Sequence, residues 1–507
     1  MPRHFIGVLW ILAAMGAAFL LYLPALQGQF VFDDIPLLVQ NTCHHGLAGL
    51  RSTFDPAASD VCGLRPVRFA SYAVDYGLFG PEPWGYHLTN HLLHGLVAAL
   101  GGLLVLRLTG RRAVAVGAGV LFLVHPIATE AVAYIAGRRD LLAALFGLAL
   151  AHLWLSARAR PRLIHAVGLV GLQALALGSH ESTVAFPAVL VAWEVFRGRS
   201  GPQQRRVWAL LGGLLALSVA FALWTATARN FSRTTALWGG GLEAHVATVL
   251  HGHLHYLHQL AWPLALQADY SPAGFPIAGG LGEAGPLGGL AAVGLAVGLM
   301  VGLRRRAPLV ALALATYGLL LLPSSQIVPH HELLAEHRLY LASLVFCGLV
   351  AAGVERGLGR WAFIPLVLLA FFYVALTRVR IDDWHDEDTL WTATLAVAPD
   401  TGRALGNLGA LRAEQGRLAE AEELLQHAVA VRPDLCEAHY NLGLLWAGAG
   451  RAYQASSVDA FERAWACNPR PRWRQPIARR LFDACRVEAA RQLDPTLPAA
   501  NPQCSGG

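Results

Sequence analysis

Two adjacent carboxylates, Asp33 and Asp34, stand in the stretch FVFDDIPLLVQN (residues 30–41), a few residues past an apolar run from Phe5 to Leu26. A pair of like charges at a bilayer surface costs desolvation and mutual repulsion, so its presence calls for a reason. A carboxylate there can accept the proton of an attacking hydroxyl, while its neighbour keeps the pair from full neutralisation or orients the acceptor. The plain alternative is a helix N-cap, because an Asp shortly before Pro36 suits a helix start.

Three further polar clusters fall at the ends of apolar segments. One runs from His125 through Glu130 to Arg138, Arg139 and Asp140. The second holds His180 and Glu181, and the third runs from His330 and Glu332 to Glu336, His337 and Arg338. A guanidinium beside an acidic centre suits a phosphate leaving group through paired hydrogen bonds. For any one of these side chains the competing reading is a snorkelling residue at a helix end. The run His251, His253, His255, His258 places three imidazoles on one helical face, as a zinc site would. A polar stripe on an interfacial helix explains it as well, and we assign no metal.

The elements that position these groups are membrane helices. Of 507 residues, 55% are hydrophobic and 14% charged, about half the charge of a soluble domain. Repeated apolar runs of roughly 20 residues mark a polytopic membrane protein. Counting from the N-terminus, the apolar runs give about eleven transmembrane helices, the first read as an uncleaved span. Arg107, Arg111 and Arg112, then Arg158, Arg160 and Arg162, then Arg197, Arg199, Arg205 and Arg206 fall in alternate loops, which the positive-inside rule assigns to the cytoplasm. Arg138, Arg139 and Arg338 break that trend and lie on the opposite face with Asp33 and Asp34. The segment Ala244–Gln267 is ambiguous; as an interfacial or re-entrant element it keeps Arg304–Arg306 inside. The C-terminal region then shares the side of the two Asp. The net charge of +6 is accounted for by these loops, and no basic helix or aromatic-basic motif points to nucleic acid. Seven cysteines are too few for a disulfide scaffold, although Cys43 with Cys62 and Cys467 with Cys485 could pair outside the cytoplasm.

From about Asp386 the composition changes to that of a soluble helical region with an internal repeat. Asn407-Leu408-Gly409 recurs as Asn441-Leu442-Gly443, and Pro399 recurs as Pro433, both at an interval of 34. That period, with L-G, a small residue and a terminal Pro, is the tetratricopeptide signature. Asn407 and Asn441, at equivalent repeat positions, are candidates to bind an acceptor. Residues 1–385 are thus read as the membrane domain, 386–494 as the repeat region and 495–507 as a disordered tail.

The segments FVFDDIP, RPVRFASY, HLTNHLLH, HPIATEAVAYIAGRRDLLAALF, LALQADYSP and AEHRLYLAS, followed by tetratricopeptide repeats, resemble the transmembrane and tetratricopeptide-repeat-containing O-mannosyltransferases. These are members of the GT-C glycosyltransferase superfamily with bacterial relatives. The resemblance covers nearly the whole chain and implies an all-α GT-C fold. It also implies inverting transfer of a sugar, mannose or another hexose, from a polyprenyl-phosphate donor to protein Ser/Thr hydroxyls. On that expectation Asp33 or Asp34 is the base, and Arg138 and Arg338 stabilise the departing phosphate. His125, Glu130, Glu181 and Glu336 shape the donor pocket, and no cofactor is required. The repeats would present the protein acceptor on the extracytoplasmic side of a bacterial inner membrane. A lipid or envelope glycan acceptor, or a non-catalytic membrane scaffold, is the alternative the residues leave open.

Overall fold

The computed structural model describes residues 3–46, 49, 51, 65–158, 162–197, 204–228, 236–271, 274–330, 332–448, 454–467, 471–483 and 486–498. Among the described residues the regular structure is α-helical, with short 3-10 turns and no sheet, as the apolar runs and the 34-residue repeat lead one to expect. The chain forms two compact units. One comprises Met1–Leu266 and Ala278–Asp386, the other Gln267–Ile277 and Glu387–Gly507.

The first unit begins with α1 (Arg3–Leu21), α2 (Pro66–Phe79), α3 (Pro83–Thr109) and α4 (Arg112–Val124). It continues through the short α5 (Thr129–Ala133), α6 (Arg138–Ala157), α7 (Leu163–Ser179), α8 (Phe186–Arg197) and α9 (Gln204–Ala228). Its last helices are α10 (Leu242–Ala261), α11 (Ala284–Leu303), α12 (Pro308–Leu321), α13 (Tyr340–Leu358) and α14 (Phe363–Asp383). The sequence dictates where these helices stop. Helix α3 opens on Pro83, whose missing N–H falls where no partner exists, and closes on Gly110 at φ +71°.

Among the described residues, five helical stretches are long and apolar enough to cross a bilayer, and a sixth is the α4–α5 pair, bent by 53° at His125. Three shorter apolar helices, Gly7–Leu21, Leu163–Ser179 and Pro308–Ser324, accompany them. The membrane character shows most plainly on α11, where Leu287, Leu290, Leu295 and Val301 are exposed and Pro286 and Gly289 are buried. Its backbone is satisfied internally while its side chains face outward, an arrangement suited to lipid. Inside the unit, small residues set the approach of helices. A Cβ on Gly95 of α3 would lie 2.5 Å from the Met15 Cα of α1, so only glycine permits that crossing.

The second unit pairs short helices. Helix α15 (Glu387–Val397) leads into α16 (Gly402–Glu414) with α17 (Leu418–Val431), then α18 (Cys436–Gly448) with α19 (Gln454–Cys467). Helices α20 (Pro471–Asp483) and α21 (Val487–Leu493) close the array. The glycines one period apart serve the same packing. A Cβ on Gly409 would meet Leu425 at 2.8 Å, and one on Gly443 would meet Phe461 at 2.6 Å. The segment Gln267–Ile277 belongs to this unit. Its buried Asp269 accepts from Ser271 Oγ (2.8 Å) and pairs with Arg403 of α16 (3.4 Å).

Cysteine pairing departs from expectation. Cys467 is bonded to Cys436, joining the outer ends of α18 and α19 across a Cα–Cα distance of 5.6 Å, so Cys467 is not left for Cys485. Sequence proximity favours the wrong partner because the antiparallel helix pair brings residues one hairpin apart together. Cys43 is disulfide-bonded too. Cys62 and Cys485 lie outside the described residues, as does most of the tail, although Leu497 packs on the Ile477–Leu481 core.

Candidate active site: a polar cleft among the membrane helices

The loop that carries the two Asp is held by its backbone. After α1 a 3-10 turn, Leu23–Gln27, redirects the chain, and the Gln29 N–H donates to His385 O (2.7 Å). Phe32 then adopts φ +51°, a left-handed conformation rarely taken by an aromatic residue, with its ring stacked on Tyr134 at 6.2 Å. The neighbouring carboxylates separate as a result. Asp33 faces a cleft of about 420 Å³, whereas Asp34 is 1% exposed.

Asp34 occupies the N-cap position of the turn Ile35–Val39 but makes no cap hydrogen bond to it. Its carboxyl instead accepts from the amides of Ala136 (2.7 Å) and Val31 (3.2 Å), tying the loop to the turn before α6. Burial, the largest influence, pushes this carboxyl up to about 8 against those two amides; the Asp33 charge adds to the rise. Capping therefore does not account for the pair.

The other walls of the cleft come from α2, α6, the turn after α7, and the stretch Gln326–Ala342. Arg65 at the head of α2 forms a two-pronged ion pair with Glu181 (both contacts 2.8 Å). His180 accepts from the Ser182 amide through Nδ1 (3.0 Å), and its Nε2 lies 3.9 Å from Asp140. Arg139 contacts Asp140 through Nε (3.3 Å) and His337 through Nη2 (2.9 Å). Arg338 donates to the carbonyls of Leu333 and Glu332 (2.9 Å each) and to the Glu332 carboxylate (3.2 Å). Gln326, a second non-glycine residue with positive φ (+54°), also lines the cleft. Phe186, Leu320 and Leu341 supply its apolar side.

A second cavity, about 220 Å³ and almost wholly apolar, extends along four of the helices that bound the first. Helix α6 contributes Ala143 to the cleft and Trp154 to the groove; α8 contributes Phe186 and Trp193. On α12 the pair is Leu320 and Leu309, and on α13 it is Leu341 and Gly348.

Of the residues to which the sequence assigns a catalytic or donor-pocket role, Asp33, Glu181 and Arg338 line the cleft. Arg138 does not. It is fully buried behind the wall, paired with Asp75 (2.5 Å), donating to Asn90 (2.7 Å) and to Tyr86 O (2.8 Å), and lying over the Tyr72 ring. Successive helical residues point about 100° apart, so one of the two arginines enters the core and Arg139 takes the cleft. His125 is a buried turn residue, accepting from the Ile127 amide and bonded to Leu260 O. Glu130 stands behind His337, and Glu336 is buried against Arg380 (3.3 Å). Asn407 and Asn441 are half-buried on α16 and α18 of the other unit. Arg139, Asp140, His180 and His337, which the sequence marks within its polar clusters without a donor-pocket role, line the cleft as well, and so does Arg65, which the sequence marks only within RPVRFASY. Among the described residues no group of three His, Cys, Asp or Glu side chains could hold a metal ion, the α10 histidines included.

No family model matches the chain, and no solved structure does. Curated relatives are found. Protein O-mannosyl-transferase F38B6.6 of Caenorhabditis elegans is 26% identical over 446 residues, 83% of this chain and 63% of that protein. Protein O-mannosyl-transferase Tmtc2 of Drosophila melanogaster is 28% identical over 289 residues, 51% of this chain and 30% of the relative. Protein O-mannosyl-transferase TMTC2 of Homo sapiens is 34% identical over 144 residues, 27% of this chain and 17% of that one. The chain spans less than two thirds of the length of these relatives. By sequence the chain is similar to O-mannosyltransferases of the TMTC family.

Proposed function

We propose that this chain transfers mannose or another hexose from a polyprenyl-phosphate donor to Ser/Thr hydroxyls of proteins, with inversion, on the extracytoplasmic face of its membrane. The observation that carries the reading is that the same four helices line both a polar cleft and an apolar groove. A carboxylate (Asp33) and two guanidiniums (Arg139, Arg338) line a polar chamber whose helices go on to line an apolar slot. A lipid-linked sugar phosphate has the matching polarity from head to tail. The names of the relatives are consistent with the mannosyl donor and the protein acceptor.

In this mechanism the acceptor hydroxyl approaches Asp33, which takes its proton as the oxygen attacks the anomeric carbon from the face opposite the phosphate. The C–O bond to phosphate breaks as the new glycosidic bond forms, so configuration inverts. Base assistance of this type contributes about 10²–10⁴-fold. Charge growing on the departing phosphate meets Arg139 and Arg338, preorganised in a partly dry chamber. Asp34, neutral below about pH 8, fixes the loop without adding a second negative charge beside the base. The disulfides at Cys43 and at Cys436–Cys467 favour an oxidising compartment for the Asp loop and for the helix-pair unit, which we assign to acceptor presentation.

The test is a transfer assay with the full chain in membranes, fed radiolabelled polyprenyl-phosphate mannose. Asp33→Asn should abolish label in protein while insertion is retained; Asp34→Asn should lower it and destabilise the chain. Label in lipid alone would redirect the acceptor, and full activity of Asp33→Asn would sink the assignment of the base.

A further inference from the structure

His337 faces the cleft with both ring nitrogens engaged. Its Nε2 lies 2.9 Å from Arg139 Nη2 and its Nδ1 lies 2.6 Å from Glu130 Oε1. The other oxygen of Glu130 accepts from the His337 backbone N–H at 2.8 Å. A guanidinium can only donate, so Nε2 must be the acceptor and the proton must sit on Nδ1. Glu130, an acceptor on both oxygens, selects that same tautomer. The order of donors is thus fixed from end to end: Arg139 to His337, His337 to Glu130.

We propose that His337 is a positioning residue that sets the aim of Arg139. Helix α6 presents Arg139 next to Asp140, already 3.3 Å from its Nε. Without a second acceptor the guanidinium would fold onto that carboxylate in the paired geometry arginine favours. Both of its edges would then be spent on Asp140. The imidazole draws Nη2 away, so that Nε meets Asp140 and Nη2 meets His337 while the guanidinium stays part of the chamber lining. Glu130 has no place in the chamber lining; it acts by holding the ring. The inference rests on the phosphate-binding role assigned above to Arg139, and it concerns a residue distinct from the base.

Two readouts on the full chain in detergent or nanodiscs separate this role from a structural one. The first is binding of sugar-free polyprenyl phosphate by titration calorimetry, which needs no turnover. His337→Leu and Arg139→Leu should each weaken binding about tenfold or more, and the double variant should bind no worse than Arg139→Leu alone, because His337 acts through Arg139. His337→Gln, which restores an acceptor near Nε2, should recover most of the affinity. The second is steady-state transfer, where His337→Leu should lower kcat on the order of 10²-fold, as loss of one charge-stabilising donor does, with a smaller change in KM for the acceptor. Losses that multiply in the double variant, or a Gln variant as weak as Leu, would overturn the relay. Wild-type binding of polyprenyl phosphate with no transfer from any hexose donor would reject the proposed activity and leave the relay to be judged on binding. A wild-type chain that does not bind polyprenyl phosphate would reject both.

Discussion

Arg138 and Arg139 are consecutive in sequence, yet their replacement should fail in different ways. Arg138 is fully buried, and its partner Asp75 is 4% exposed at the side chain. Arg138→Met would strand that carboxylate, and breaking a buried pair by removing one partner costs about 3–5 kcal/mol. The hydrogen bonds to Asn90 and Tyr86 O are lost with it, as is the contact over the Tyr72 ring. The melting temperature should therefore fall on the order of 10 °C. Arg138→Met with Asp75→Leu should recover much of that, since replacing both members of a buried pair by apolar residues is often neutral. Arg139 lines the cleft, and Arg139→Met should leave the melting temperature within a few degrees and abolish transfer. The measurements are thermal unfolding in detergent followed by fluorescence-detected gel filtration, and sugar transfer at a temperature below every midpoint. An Arg138→Met variant that melts like the wild type but is inactive would refute the division of labour between the two arginines.

Asp34 makes stability depend on pH. Its carboxyl titrates near 8 when folded against 3.8 ordinarily, so the stabilisation it provides is fully present below about pH 4 and is lost as pH rises through about 8. Melting curves of the wild type should decline across that window, and Asp34→Asn should flatten the decline; identical pH profiles would contradict the assignment. In the apolar groove a Cβ on Gly348 would find Val105 no nearer than 3.9 Å, so Gly348→Leu fills space without forcing the backbone. It should raise KM for a long-chain polyprenyl donor several-fold and leave a short-chain analogue unchanged, as measured by steady-state kinetics. Cys436→Ser opens a cross-link of sequence separation 31, which should remove about 3–4 kcal/mol from the helix-pair unit. A loss of protection against limited proteolysis confined to the helix-pair unit, Gln267–Ile277 and the residues from Glu387 on, equal in Cys467→Ser, is the expected result.

Much of this architecture is legible in the chain. Apolar runs name the membrane helices because lipid requires every backbone group to be satisfied within a segment, and the recurrence of Asn407-Leu408-Gly409 names the helix pairs because close approach demands glycine there. The Asp33–Asp34 stretch is identifiable from charge alone. What the chain does not spell out is rotation. Whether Arg138 or Arg139 faces the cleft depends on the start of α6, which a 3-10 turn at Ile135–Gly137 sets. Whether Asp33 or Asp34 is the exposed carboxylate depends on the left-handed Phe32, a conformation no propensity would assign to that residue. Glu130 and His337 lie far apart in sequence, so nothing local shows that one holds the other. The cysteines mislead for a related reason: pairing follows the antiparallel return of α19 along α18.

Because Gln267–Ile277 belongs to the helix-pair unit, that unit cannot be completed in the order in which the chain is made. Asp269 leaves the ribosome long before Arg403, its partner at 3.4 Å. At roughly 5–20 residues per second, the strap waits on the order of ten seconds for the helix that receives it. A unit with such a non-adjacent part cannot close sequentially, hairpin by hairpin, and the late loop closure slows its completion. A fragment beginning at Glu387 would contain every repeat yet lack one segment of its own interior, so an autonomous acceptor-binding piece must carry residues 267–277 in trans or by a designed linker.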